Sequence, residues 1–203
     1  MISVILSTRD DAARLPRALA PLVMGVADGW VKQAIVVDGG SSDDTLEVAE
    51  AAGCDIVQSA YGAKQLIAGA AAAKARWLLF LRVETALEES WLEEARRFIT
   101  HGDGRAAAFR LAYERPGFMA RGAELVAFAR GLVKRPRAEQ GLLISRALYE
   151  KTGGYHNTPD AYANLIGRIG AQRLVMLRSK ANYGEDEPFA EAVPPATRRS
   201  SGV

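Results

Sequence analysis

Apolar positions follow two alternating rhythms over the first hundred residues. ISVILS (2–7) is a continuous run suited to a buried strand, whereas residues 11–24 place Ala12, Leu15, Leu19, Leu22 and Val23 at helical spacing. The alternation then recurs. AIVVD (34–38) has the composition of a second strand, and DTLEVAEAAG behind it reads as a helix that Ser42 or Asp43 can cap and Gly53 ends. CDIVQS (54–59) reads as a third strand, KQLIAGAAAAKA (64–75) as an alanine-rich helix, RWLLFL (76–81) as a fourth strand and SWLEEARRFIT as a further helix. Strands alternating with helices at this interval predict an α/β fold of parallel βαβ units, with right-handed crossovers and helices on both faces of the sheet.

The rhythm loosens after HGDGR (101–105). AAAFRLAYE reads as a strand, residues 117–135 as a basic amphipathic helix, and GLLISRALYEKTGGY (141–155) as strand, helix and turn. The pattern predicts a single domain over residues 1–180, and a flexible tail over 181–203 because the end of the chain is rich in Pro, Ser and charge.

Composition narrows the class. A chain of 203 residues with 49% apolar and 25% charged positions can bury a core of its own and is neither disordered nor collagen-like. The formal charge of +2 is spread along the chain, so no nucleic-acid footprint emerges. One cysteine, Cys54, excludes an internal disulfide and fits a reduced, cytoplasmic setting; it reads as a small buried hydrophobe. MISVILSTRDD lacks a basic leader region and reads as a first strand. Every apolar run is interrupted before the roughly 18–20 residues that a bilayer span needs.

Chemistry concentrates where the strands end. In open parallel α/β sheets, ligands bind beyond the carboxyl ends of the strands. Three strands deliver polar residues there: Thr8, Asp10 and Asp11 from the first, Asp38, Ser41 and Asp43 from the second, and Arg82, Glu84 and Thr85 from the fourth. A carboxylate at Asp38 could accept from a base or ribose, with Gly39 and Gly40 letting the backbone approach closely. The same features also describe a capped turn. Neither GxGxxG nor GxxxxGK[ST] occurs, so neither a dinucleotide fingerprint nor a P-loop is present.

Taken in order, SVILSTRDDAARLPRAL, VVDGGSSDDT, GAKQLIAGAAAA, LLFLRVET and EQGLLISRALYEKTGGY resemble the family-2 glycosyltransferases of the GT-A fold. The compact bacterial subgroup associated with radical-SAM and selenium-related proteins is the most similar. The resemblance spans roughly residues 2–178. It implies a GT-A-like, Rossmann-related, mixed and mostly parallel sheet, with a nucleotide-binding half over about 1–100 and an acceptor half over about 101–180. The implied activity is inverting, metal-assisted transfer of a sugar from a nucleotide-diphosphate sugar to an unknown acceptor. A lipid-linked acceptor and peripheral contact with the inner membrane, through the 117–135 helix, fall within that expectation.

The resemblance also assigns residues. Thr8 and Asp38 fall to the base and ribose, Lys64 to the diphosphate, Asp11 and Gln65 to the same nucleotide-binding set, and Glu84 to a bound Mg²⁺ or Mn²⁺. Asp160 and Glu139 are the candidates for the base that takes the acceptor's proton. Departures from the family pattern accompany these matches. Arg82-Val83-Glu84-Thr85 stands where the family has His-Ala-Asp-Thr, Ile67 replaces an Asn, Ala138-Glu139-Gln140 replaces Gly-Asp-Gln, and HNTPDAYANLIGRIG lacks the Glu-Asp pair. They support an alternative: a catalytically degenerate GT-A domain that binds a nucleotide or a protein partner. Bland readings stand beside the assignments, with Asp38 as a turn cap, Glu84 as a helix-dipole acid, Lys64 as a solvated helix residue, Glu139 and Gln140 as partners in a buried turn, and His156 as a loop histidine.

Overall fold

The computed structural model describes residues 1–102, 104–113 and 136–184. The helix expected over 117–135 and the tail from 185 onward lie outside the described residues. Among the described residues eight strands form one sheet in the order β3-β2-β1-β4-β7-β6-β8-β5. The nucleotide-binding half expected from the sequence supplies β1 (Ile2–Thr8), β2 (Val31–Asp38), β3 (Asp55–Gln58) and β4 (Trp77–Arg82), all mutually parallel. β7 (Leu142–Ser145) then joins β4 antiparallel, followed by β6 (Ala106–Tyr113), β8 (Leu174–Tyr183) and the short β5 (Thr85–Leu87). The sheet is therefore mixed, and its parallel half has the expected βα rhythm.

Both faces are covered, as continuous apolar strands require. Ile2, Val4, Leu6, Val36, Leu79 and Phe109 point to one face, where α1 (Leu15–Leu19), α3 (Thr45–Ala51) and α5 (Trp91–His101) supply Leu15, Ala49 and Trp91. Ile5, Ile35, Val37, Leu78, Phe80 and Ile144 point to the other, against α4 (Ala63–Ala72), α6 (Arg146–Lys151) and α7 (Ala161–Ile169). Gly69 of α4 lies directly against β1 and β2. A Cβ there would stand 2.9 Å from Val37 Cγ2 and closer still to Ile5 Cγ2, so the absent side chain sets how near the helix lies to the strand ends.

One expected element differs, and two elements were not read from the sequence. The helix read over 11–24 does not start until Leu15; Pro21 then falls in a 3₁₀ turn at Ala20–Leu22, and α2 (Val23–Ala27) follows. Pro21 has no N–H to continue an α-helical ladder, which explains the break. Residues 11–14 form a turn with Arg14 and Leu15 N–H donating to Asp11 O, and this turn faces the strand ends. The segment after GGY contains α7, and β8 keeps the chain in the sheet as far as Tyr183.

Candidate active site

The second strand ends in a turn that folds around its own aspartate. Asp38 is 2% exposed, and its carboxylate accepts from Gly40 N at 3.0 Å, Ser41 N at 3.1 Å and Ser41 Oγ at 2.5 Å. Such an Asx-type turn uses the acceptor capacity of the side chain locally. Gly40 adopts φ 92°, which this turn requires and which a β-carbon would resist. Neither expected cap is the N-cap of α3: that position is Asp44, which makes no side-chain capping bond, while Asp43, one residue earlier, accepts from Thr45 N at 3.0 Å and from Ala12 N at 3.1 Å. Ser42 instead donates to Asp10 Oδ1, and Ser41 Oγ accepts from Asp10 N at 3.0 Å, holding Asp10 at φ 55°. These bonds hold the Asp10 carboxyl below its ordinary range, the Ser42 backbone N–H contributing most. The loops after β1 and β2 are thus one hydrogen-bonded unit.

Gln65 is part of the same unit. Buried at 2% exposure, its Nε2 donates to Thr8 O at 2.9 Å and Val37 O at 2.8 Å, while its Oε1 accepts from Gly62 N at 2.9 Å. It ties the start of α4 to the ends of β1 and β2. A Cβ on Gly39 would meet Gln65 Nε2 at 3.0 Å and Thr8 O at 3.2 Å, so the first glycine of the Gly-Gly pair is required by close packing.

Beyond these strand ends opens a cavity of about 1070 Å³. Of the eight residues expected in the site, Thr8, Asp11, Gln65, Glu84, Glu139 and Asp160 line it. Asp38 and Lys64 do not: Asp38 is committed to its turn, and Lys64 is exposed on the first turn of α4. Arg82, which the sequence reading placed at the fourth strand end, also lines it, as do residues that reading did not single out, notably Arg9, Arg14, Tyr61 and Tyr162. Arg9 lies over the Tyr61 ring, 5.2 Å from its centroid. STRDD, a strand end followed by two charges, contained a signal for Arg9; nothing local in the sequence marks Tyr61 or Tyr162.

Two guanidinium–carboxylate pairs dominate the electrostatics. Arg82 Nε donates to Glu84 Oε2 at 3.1 Å and Arg82 Nη2 to Glu84 Oε1 at 2.8 Å, a bidentate fork. Burial alone would push the Glu84 carboxyl up, but the hydrogen bonds and charge of Arg82 bring it below its ordinary value, and Arg82 is itself shifted up, chiefly by its hydrogen bonds to Glu84. Asp11 accepts from Arg9 N at 2.9 Å and from Arg14 Nη1 at 3.0 Å, yet burial dominates and pushes its carboxyl up. The expected metal ligand therefore has both oxygens engaged by a guanidinium, and the neighbouring carboxylate, Asp11, has one oxygen on a guanidinium and the other on the Arg9 backbone N–H. Among the described residues no group of three or more His, Cys, Asp or Glu is gathered as metal ligands demand. As arranged, this donor set fits arginine better than a hard divalent cation.

The opposite wall comes from the acceptor half. Thr85 Oγ1 donates to Glu139 O at 3.0 Å, anchoring the 3₁₀ turn at Ala138–Gln140 beside the Arg82 loop. Gln140 is structural, as its bland reading held: Nε2 donates to Phe109 O at 2.7 Å and Oε1 accepts from Arg137 N at 2.8 Å. Glu139 Oε2, by contrast, is buried with no hydrogen-bond partner among the described residues. Burial pushes the Tyr162 phenol well up, and the charge of Glu139 adds to the shift. Asp160 is exposed at the N-cap of α7, and its side chain makes no capping bond. His156 is exposed in its loop, and Cys54 is partly buried against the core, where burial pushes its thiol up.

A parallel α/β half with a charged strand-end cavity, closed by a mixed extension of the sheet, defines the class: an α/β protein with a ligand-sized cavity beyond the carboxyl ends of its strands. Comparison with known sequences then gives the family. The profile described as "Glycosyl transferase family 2" matches residues 3–155, and the chain belongs to that family. No curated protein sequence matches significantly. Among solved structures, glucosyl-3-phosphoglycerate synthase from Mycobacterium tuberculosis is similar, at 20% identity over 93% of this chain and 73% of that one. Its complex with Mn²⁺, UDP-glucose and phosphoglyceric acid superposes with a TM-score of 0.67. The complex of the same enzyme with Mn²⁺, UDP and glucosyl-3-phosphoglycerate gives 0.65 at the same identity and coverage. A structure described only as a mycobacterial protein gives 0.68, at 20% identity over 94% of this chain and 69% of that one. At such identities the likeness establishes the fold, and the α/β, GT-A architecture expected from the sequence is borne out.

Proposed function

We propose that this chain transfers a sugar from a nucleotide-diphosphate sugar to an acceptor hydroxyl, with inversion at the anomeric carbon. The observation that carries the reading is that one cavity joins the β1 and β4 ends, with Thr8, Asp11 and Gln65, to the Glu139–Asp160 side. Family membership and the UDP-sugar complexes of the similar synthase support it. Thr8, Asp11 and Tyr61 are the candidates for the nucleoside. Glu139 is the preferred base, because its buried Oε2 has no partner among the described residues and an acceptor O–H would satisfy it.

In the proposed step the acceptor oxygen bonds to the anomeric carbon as the bond from that carbon to the β-phosphate oxygen breaks. The acceptor's proton passes to Glu139, and the electron pair leaves with the nucleoside diphosphate. Stabilising that departing charge is the largest demand on the site. The subgroup placement belongs to the same proposal as an expectation of the resemblance; the expected divalent metal does not, because both Glu84 oxygens are engaged by Arg82. Among the described residues no helix is long and apolar enough to cross a membrane. The proposed membrane contact and lipid-linked acceptor draw on the 117–135 segment, which lies outside those residues.

A panel of UDP- and GDP-sugars, assayed for nucleoside diphosphate release, tests the reading. Glu139→Gln should lower turnover by roughly 10²–10⁴-fold while donor affinity stays unchanged, and Asp160→Asn should have a much smaller effect. Equal turnover in Glu139→Gln would remove Glu139 as base. Donor binding with no turnover from any sugar would favour the alternative, a degenerate nucleotide-binding domain.

A further inference from the structure

We infer that Arg82, not a divalent cation, faces the diphosphate of the donor, so that nucleotide binding by this chain is independent of metal. The inference rests on the nucleotide-sugar reading above and deepens it. In the Arg82–Glu84 pair the guanidinium side chain is 44% exposed and the carboxylate 20%. In the Arg14–Asp11 pair the corresponding values are 30% and 9%. Both pairs line the cavity, and in both the cationic partner is the more exposed and the carboxylate lies deeper.

Arginine carries five N–H donors. Nε and one N–H of Nη2 go to Glu84, which leaves three with no partner among the described residues. A planar fork with free donors matches phosphate oxygens, and its charge persists at any working pH. A cation on Glu84 would need a carboxylate oxygen at about 2.0–2.6 Å. It would therefore have to displace a bidentate guanidinium and then sit beside that guanidinium and Arg14. Glu84 in this arrangement orients Arg82, as a buried carboxylate behind a phosphate-binding arginine would. The resemblance assigned the loop's carboxylate to metal; the residue that entered the loop, Arg82, supplies a positive charge of its own.

Calorimetric titration of the whole chain with UDP and with GDP, each in EDTA and in Mn²⁺, tests this. Binding in EDTA should lie within about threefold of binding in Mn²⁺. Arg82→Ala should weaken the diphosphate roughly tenfold or more and leave the matching nucleoside unchanged, as loss of charge-assisted bonds requires. Arg82→Lys keeps the charge without the fork and should fall between. Thermal unfolding confirms that each variant is folded; if Arg82→Ala is not, the EDTA comparison on the unaltered chain decides alone. Diphosphate binding that disappears in EDTA and returns with Mn²⁺ overturns the inference while upholding the nucleotide reading. Absence of UDP and GDP binding in either condition overturns both.

Discussion

Asp38 and Glu139 exchange the weight that sequence reading gave them. At the end of a strand, before two glycines, a buried aspartate looks like a ligand-binding group, but three donors of its own turn reach it first. Glu139, a base candidate only through a departing Gly-Asp-Gln motif, has a carboxylate oxygen that is buried and unpartnered among the described residues. Sequence shows which residue types sit at a strand end; it does not show which of them the loop itself consumes. Glu84 gives a testable consequence in stability. Its folded-state value lies below its ordinary 4.5, so its pair with Arg82 stabilises the fold above that pH and the contribution disappears as pH falls through the lowered value. Glu84→Gln should therefore cost roughly 0.5–1 kcal/mol at pH 7 and nothing near pH 2, measured by denaturant unfolding across that range. An equal difference at both pH values would show that the carboxylate charge is not what Arg82 requires.

Elements were legible where one rhythm dominated. β1, β2, β4 and α5 declared themselves because each is a continuous apolar run or a clean amphipathic turn. The helix over 11–24 was over-read because Leu15, Leu19 and Leu22 keep helical spacing through Pro21, which the backbone does not. β8 was missed although Leu177, Ser179 and Ala181 are buried between exposed Arg178 and Lys180, a period-two signal diluted by charge. α4 offers a test of how tightly elements define the site. Gly69→Ala gains roughly 1 kcal/mol of helix propensity but drives a methyl into Ile5 and Val37, and should lower stability by about 1–2 kcal/mol net. Gly167, exposed in α7, has no atom within 4 Å of a built Cβ among the described residues, and Gly167→Ala should raise stability by about 0.5–1 kcal/mol. Thermal melts of the pair check both signs; stabilisation by Gly69→Ala would mean that α4 is not seated on the strand ends as described.

At the scale of the molecule, the parallel half and the mixed extension meet at the antiparallel β4–β7 pairing, and the cavity opens where the two halves supply opposite walls. The parallel half could be read from its alternation. The antiparallel entry of β7 beside β4 could not, because a short apolar run such as Leu142–Ser145 does not carry its own direction in the sheet. Family membership follows from the profile match, and the proposed chemistry follows from how Thr8, Gln65, Arg82 and Glu139 are brought to one cavity. A crystal structure of the chain soaked with UDP examines that claim most directly. The account predicts a nucleotide in the cavity, its base and ribose near Thr8, Asp11 and Tyr61, and a phosphate oxygen within about 3 Å of an Arg82 nitrogen. A nucleotide bound elsewhere on the surface, or no nucleotide at saturating concentration, would contradict it.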